Sequence, residues 1–504
     1  MDVCETTSSN PFHQLPDELI HNIFTYLDKK SIKNFALSFK RSAAVLSTST
    51  NLLNKYFKLK LENDFWQDRE KIFDLLSLRR NLRELELSNI AGSHNVLIAI
   101  FKRFGLHITK LKISNSKIDD FTLREILRLS PMLQELHVSE IGIIKKLPAI
   151  NPIFMSYLKR LTVQYCDWII LKFIMRSQIH SLTIKSYLDE GNRIHLVDFL
   201  SSQFLLKELM MQGTSIRCLF QNNDISNNCA YSLNKFAIDN TIGKNSDTVN
   251  FNISTFMNLH DSTLKCVEIS GPNMEHVTAF VLLNLKMIQD LILDVRSLPK
   301  DQNFYYALAE EEKCTTLQNL KLCGFFFQQE LVKSILLQFP MIQNLEINDW
   351  SNGSVSDLLQ FISQNLPHIE NLTITEISNG EDIKLNALTN LTVQYIRNTN
   401  QLSKFIIKNE KIEALKVNLV YIGQVKNLVT SIRDLSNLKY LSIGGNKKAL
   451  NMIMNLIHAN APQKLQTLEL SMISDEKGGN DARKAIKLNF PLNRNEIFKF
   501  NVLI

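Results

Sequence analysis

One six-residue pattern constrains this chain more than any other feature: an apolar residue, two variable ones, an apolar, one variable and an apolar. It first appears as Leu82-Arg-Glu-Leu85-Glu-Leu87, and copies start at Ile108, Leu133, Leu158, Ile179, Leu206, Leu233 and Leu264. Further copies start at Ile288, Leu317, Ile342, Ile369, Leu388, Ile412, Leu438 and Leu465, making sixteen. The first and last lie 383 residues apart over fifteen intervals, a mean near 25.5. A single match is common by chance. Sixteen at near-constant spacing require units that cannot bury their apolar faces alone and must stack on neighbours. Within each copy the alternation marks a strand whose fixed apolar residues point inward and whose intervening residues point outward. Between copies the period changes to that of a helix. Ile118 to Leu129 reads as an amphipathic helix closed by Pro131, and Pro340 and Pro367 stand at the same place before later strands.

A period near 25 falls within the range of about 20–29 residues of leucine-rich repeats, which this stretch resembles. The expected fold class is therefore α/β: a horseshoe-like solenoid of about sixteen strand–helix units over residues 81–504. The units at Leu158, Leu233 and Leu388 are irregular, and the 31-residue gap after Leu233 predicts a longer loop. Ile497 to Val502 reads as a last, capping strand.

The outward strand residues form columns on the expected concave face. The first column begins Glu84, Lys110, Glu135, Arg160, an alternation of sign that predicts lateral ion pairs between strands. Its later part holds Asn319, Asn344, Asn371 and Asn390 in consecutive repeats. In register, these four make either an amide ladder along the stack or a neutral hydrogen-bonding patch for a partner. The middle column places Met210, Ala237 and Ile292, all apolar, where water is expected, which makes them candidate anchors for a bound protein. These seven residues are the candidate substrate-binding set.

Ahead of the repeats, Leu15 to Arg41 reads LPDELIHNIFTYLDKKSIKNFALSFKR. Leu15, Leu19, Ile20, Ile23, Phe24 and Leu27 recur at helical spacing, with Pro16 fit for a first helical position and Asp17 and Glu18 at the positive end of the helix dipole. Asp28 can cap a second helix, and Ser42 to Phe57 holds a third. Leu-Pro-Asp-Glu, Ile-Phe-x-Tyr-Leu-Asp, Ala-Leu and a Lys-Arg pair together resemble the F-box, with a departure at Ser42, where the family commonly has tryptophan. The resemblance implies a small helical domain over 11–57 that binds the Skp adaptor and, through it, cullin in a ubiquitin ligase. It implies Leu15, Pro16, Leu19, Ile20, Ile23, Phe24 and Leu27 as adaptor-facing residues, with Pro16 and Ile20 foremost. Residues 1–10 are expected to be flexible. Residues 58–80, with no Gly or Pro, are expected to form a connecting helix with Leu61, Phe65, Ile72, Phe73, Leu75 and Leu76 inward.

No metal or cofactor motif accompanies this plan. The seven cysteines form no CxxC, the eleven histidines do not cluster with cysteine or carboxylates, and no GxxxxGK[ST], GxGxxG, GxSxG or HExxH is present. The expectation is a protein without catalytic residues, metal or cofactor. A net charge of +7 over 504 residues is too mild for a dedicated nucleic-acid binder, and no stretch reaches the roughly twenty apolar residues of a membrane span. A cytoplasmic or nuclear chain, monomeric within a hetero-complex and holding a protein substrate on its repeats, is expected. The rival class is a repeat scaffold with no role in a ligase.

Overall fold

In a computed structural model, the residues described are 15–26, 45, 58–77, 81–90, 94–143, 152–166, 169–186, 193–222, 229–240, 246–294, 302–324, 329–348, 355–377, 383–396, 399–420, 425–460, 462–472 and 485–489. Leu27, Asp28, Ser42 and the expected second and third helices, apart from buried Val45, lie outside them, as does the strand expected at Ile497 to Val502.

The chain divides into two compact units, one of residues 1–209 with 228–231 and one of 210–227 with 232–504. In the first unit the strands are β1 (Lys58–Leu61), β2 (Glu84–Ser88), β3 (Lys110–Ile118), β4 (Glu135–Ile143), β5 (Arg160–Gln164) and β6 (Ser181–Ser186). They pair in chain order, all parallel. β7 (Glu208–Gly213) lies where the units divide. The second unit holds β8 (Lys235–Asp239), β9 (Cys266–Ser270), β10 (Asp290–Asp294), β11 (Asn319–Cys323), β12 (Asn344–Ile347) and β13 (Asn371–Ile374). Then come β14 (Asn390–Val393), β15 (Ala414–Val420), β16 (Tyr440–Gly445), β17 (Thr467–Met472) and β18 (Ala485–Asn489). From β8 to β17 the pairing is again parallel and sequential. β18 reverses direction and pairs antiparallel with β17, so the last strand of the described residues is one that the repeat pattern does not announce.

The register follows the leucine pattern. Lys110 pairs with Glu84 and Glu135, and Asn344 with Asn319 and Asn371, so each column residue meets its counterpart. Leu85, Leu87, Leu111, Ile113, Leu320 and Leu322 are buried beneath it, as are their equivalents elsewhere. Helices such as His94–Phe104, Asp120–Arg128 and Gln329–Gln338 return the chain between strands. Asp119 caps the second of these, accepting from Thr122 N–H at 2.7 Å, and Leu123, Ile126 and Leu127 are its buried stripe. The long interval after Leu233 holds the twelve-residue helix Asp247–Asn258, not only a loop.

Five residues after the first column position the backbone turns left-handed in repeat after repeat. Asn89, Asn115, Glu140, Tyr165, Gly213, Gly271 and Gly324 all have positive φ there. At Gly271 a Cβ would also stand 2.6 Å from the Asn240 carbonyl oxygen, so this turn admits only glycine without movement.

The connecting helix expected over 58–80 is not one helix. Lys58–Leu61 is a strand parallel to β2, pairing Lys58 with Glu84 and Lys60 with Glu86. Its Lys-Leu-Lys-Leu alternation has the period of a strand, and its neighbour Glu-Leu-Glu-Leu offers both a matching apolar face and opposite charges. A 3-10 turn (Asn63–Gln67) follows and buries Trp66, whose indole N–H donates to the Ser88 carbonyl at 3.0 Å. Only Arg69–Ser77 is α-helix, and of its expected inward residues Leu75 is buried while Phe73 is exposed. The strand array thus begins one strand earlier than the sixteen copies of the pattern, giving seventeen parallel strands among the described residues.

Candidate functional site

Two surfaces carry the candidate residues. The first is the helix Asp17–Tyr26, started by Pro16, whose carbonyl accepts from Ile20 N–H at 3.1 Å. Ile20 and Phe24 are fully buried at 1% and 0% exposure, whereas Leu19 is 47% exposed and Pro16 is exposed. Leu15 and Ile23 lie half-buried between these extremes. Ile20 and Phe24 sit on the inward face, and Pro16 and Leu19 form the accessible edge. The apolar stripe is wider than the packing needs, and sequence spacing alone does not say which part is left over.

The second candidate region is the open face of the strands, which differs in chemistry between the two units. Across β2 to β5 the Lys110 ammonium lies 3.5 Å from Glu84 and 3.6 Å from Glu135, and Glu135 is bonded in turn by Arg160. In the middle column Lys112 reaches Glu86, itself nearly buried, at 3.1 Å. Glu84, Lys110, Lys112, Glu135 and Arg160, with His137 and Thr162, line a depression of about 250 Å³. The expected alternation of charge is thus a ladder of lateral ion pairs.

Across β10 to β14 the same column is a chain of amides. Asn319 Nδ2 donates to the Asp290 carboxylate, Asn344 to Asn319 Oδ1, Asn371 to Asn344 and Asn390 to Asn371. Asn319, Asn344 and Asn371 each spend one N–H and one oxygen lone pair on the ladder, and Asn390, at its end, spends one N–H. The second N–H of each amide is unused by the ladder. In the neighbouring columns Lys321 meets Glu346 at 2.9 Å, which raises the lysine's pKa, and Asn348 donates to Glu346 at 2.6 Å. Gln394 Nε2 reaches over to Asn348 Oδ1 at 2.5 Å. A second depression of about 260 Å³ is lined here by Ile292, Lys321, Glu346, Thr373 and the first three asparagines. Of the apolar candidates, Ile292 and Met210 are half-buried on the open face, but Ala237 is buried at 1% exposure. Ala237, which pairs in register with Glu268, thus leaves a partner almost no surface to contact.

Sequence reasoning missed a set of buried amides at the ends of the helices. Gln203 accepts from Ile179 N–H at 3.0 Å and donates to the Ser177 carbonyl at 3.1 Å. Asn409 does the same one unit's length from its partners, accepting from Leu385 N–H and donating to the Ile383 carbonyl. Both precede the first leucine position of a strand by three residues, and that recurrence is the signal that would have found them. Among the described residues no group of three or more His, Cys, Asp or Glu is placed to hold a metal, and no helix is long and apolar enough to cross a membrane.

Residues 12–53 match the family model of the F-box domain. No curated protein sequence matches the chain. Among solved structures it is similar to a TLR13–ssRNA13 complex at 14% identity and TM-score 0.38, covering 73% of this chain and 56% of that one. It thus spans little more than half the length of that protein. It is also similar to Rad7 in a complex with Elc1 from yeast, at 15% identity and TM-score 0.34, covering 66% of this chain and 88% of that one. A mouse RP105/MD-1 complex is matched at 12% identity and TM-score 0.35, covering 77% of this chain and 69% of that one. Residues 12–53 thus carry an F-box domain, and behind them the described residues form seventeen parallel strands, sixteen of them on the LxxLxL period, in an array of the leucine-rich-repeat type.

Proposed function

We propose that the chain is a substrate receptor of a Skp–cullin–F-box ubiquitin ligase, with the F-box binding the Skp adaptor and the open face of the repeats holding a protein substrate. The observation that carries this reading is the F-box at residues 12–53, joined to an array that offers a long polar surface. No catalytic group is needed for such a role, because holding a substrate close to an activated ubiquitin raises its effective concentration by itself. Pro16 and Leu19 are the adaptor contacts of choice, since Leu19 leaves an apolar side chain in water on a helix whose other stripe is packed. On the repeats, Ile292 and the amide-lined depression beside it form the substrate patch, where the spare N–H groups of Asn344 and Asn371 can donate to a partner.

Affinity capture of the tagged chain under native conditions tests this. The Skp adaptor and cullin should co-purify with it, and Leu19→Asp should release both while the melting temperature stays unchanged. Absence of both from a capture of the folded chain sinks the ligase role. Ile292→Asp should leave adaptor capture intact and prevent ubiquitination of trapped substrates.

A further inference from the structure

The turn before each strand places two residues in the same repeat positions, immediately ahead of the first leucine of the pattern. In the first unit these turn pairs carry exposed apolar side chains: Leu106 (63% exposed), Met132 (39%), Tyr157 (48%), and Phe204 with Leu205 (58% and 41%). The last turns of the second unit carry Asn386–Ala387, Glu410–Lys411, Ser436–Asn437 and Gln463–Lys464 at these positions. Single methionines recur between them at Met287 and Met341. A row of four apolar turns out of five consecutive ones therefore belongs to the first unit alone.

Several basic residues around the turns of the second unit are engaged, although Lys265, at the position of Lys439, is exposed without an ion pair among the described residues. In the second unit Lys411 donates to the Asn386 carbonyl at 2.9 Å, Lys439 pairs with Glu413 at 2.8 Å and Lys464 donates to Asn437 at 2.8 Å. Lys159 and Lys207, the equivalents of Lys439 in the first unit, are exposed and make no ion pair among the described residues, and Arg176 is likewise exposed. No Asp or Glu occupies the turn pairs of the first unit or the residue after the first leucine of the following strand. The turns are also fixed before anything binds. Gln178 donates to the Ser202 carbonyl at 2.8 Å and accepts from Phe204 N–H at 2.9 Å, and Ser177 Oγ accepts from Met155 N–H at 3.0 Å. Apolar side chains held on stapled turns lose little freedom on binding.

We propose that this row, from Leu106 to Leu205, is a docking strip for an acidic amphipathic helix of a protein partner, separate from the open face. Adjacent parallel strands lie about 4.8 Å apart and a helix advances about 5.4 Å per turn. A helix laid along the row presents one apolar side chain to each turn pair and directs its carboxylates to Lys159, Lys207 and Arg176. The strip is one side chain wide and is interrupted by Gln178, which suits a helix and does not suit the flat surface of a bilayer.

The test uses the purified full chain and a fluorescent helical peptide of about 18 residues, with Leu on one face and Glu on the other. A version with Lys in place of Glu and vesicles of phosphatidylcholine with phosphatidylserine are run beside it. The acidic peptide should bind in a salt-dependent way and the basic one should not. Phe204→Ser with Leu205→Ser should weaken binding about tenfold or more, and so should Lys159→Glu with Lys207→Glu, with unchanged melting temperatures. The two double variants change different side chains, so loss of fold in one leaves the other decisive. Equal binding of the two peptides, or indifference to both double variants, overturns the proposal. So does vesicle binding that these variants abolish while the acidic peptide fails to bind, since the strip would then serve a lipid surface. Adaptor capture through Leu19 is unaffected by any of these results.

Discussion

The ion-pair ladder of β2 to β5 and the amide ladder of β10 to β14 answer the same problem with different chemistry. Stacking repeats in register puts the first-column side chains of neighbouring strands within reach of one another, and a column of like charges would repel. One end of the chain alternates sign; the other removes charge and lets each amide donate to the one before. The first solution is undirected and shared, with Lys110 midway between two glutamates at 3.5 and 3.6 Å. The second has a direction and an anchor, because its first acceptor is the Asp290 carboxylate. Exposed ion pairs contribute at most about 1 kcal/mol each and weaken in salt. Hydrogen bonds contribute about 0.5–1.5 kcal/mol each and more when one partner is charged, with little dependence on salt.

The largest break in this comparison should come from Asn344→Asp. Asn344 donates to Asn319 and accepts from Asn371. An aspartate keeps the acceptor, loses the donor and sets a carboxylate oxygen against Asn319 Oδ1. A loss of about 2–3 kcal/mol is expected, together with faster amide hydrogen exchange in β11 to β13 and unchanged exchange in β2 to β5. Equal exchange in both regions would mean that the amides are not coupled as a ladder.

The asparagines themselves do not titrate, but a buried histidine of the same unit, His260, does. This imidazole is buried, packs edge-on against Phe256 at 4.8 Å between ring centres, and is held by burial at a pKa of about 4, below its usual 6.5. Between those values the unfolded chain binds the proton and the folded one does not. The stability contributed is therefore whole above pH 6.5 and is lost as pH falls toward 4, by about 2.5 kcal/mol at pH 4.5. Urea melts of the protein and His260→Asn at pH 7 and pH 4.5 should show the difference between them shrinking at the lower pH. An unchanged difference would count against a buried neutral imidazole.

How much of this was legible in the sequence differs between the column and its supports. Asn319, Asn344, Asn371 and Asn390 could be aligned by counting from each first leucine, because register follows the same leucines that build the core. That they bond to one another, and do not stand apart as a free patch, needed coordinates. Lys58 to Leu61 was misread because four residues satisfy a helical stripe as readily as a strand, and the deciding fact is a partner, Glu84 to Leu87, more than twenty residues away. Gln203 and Asn409 carry only the weak signal of a shared place three residues before a first leucine, because a polar residue at the end of a helix reads as solvated until its partners in the preceding repeat are known. Ile20 packs inward while Leu19 stays exposed, a division that spacing does not show because a broad apolar stripe does not reveal which edge is covered.

A smaller effect should follow reversal of charge in the ionic ladder. Lys110→Glu sets three carboxylates side by side, with Glu84 and Glu135 as neighbours. About 1 kcal/mol is expected to be lost at low salt, largely recovered at high salt, since these side chains are half in water. Exchange should quicken in β2 to β4 and not in β11 to β13. A loss as large as that of Asn344→Asp would erase the distinction between a shared, screened ladder and a directed one.

The smallest effect is that of salt on the unaltered protein, and it separates the two ladders most cleanly because no side chain is changed. Raising sodium chloride from about 0.05 to about 0.5 M shortens the screening length from over 10 Å to under 5 Å. The pairs of Lys110 with Glu84 and Glu135 are then worth a few tenths of a kcal/mol less, whereas the bonds between Asn319, Asn344, Asn371 and Asn390 keep their strength. Only the bond of Asn319 to Asp290 has a charged partner, and that partner lies at one end of the amide chain. Exchange in β2 to β5 should therefore rise slightly with salt, β11 to β13 should stay level, and β10 should fall between them. A uniform rise across all three would place the origin of stability on the open face in charge alone, and the amide ladder would then be a by-product of register.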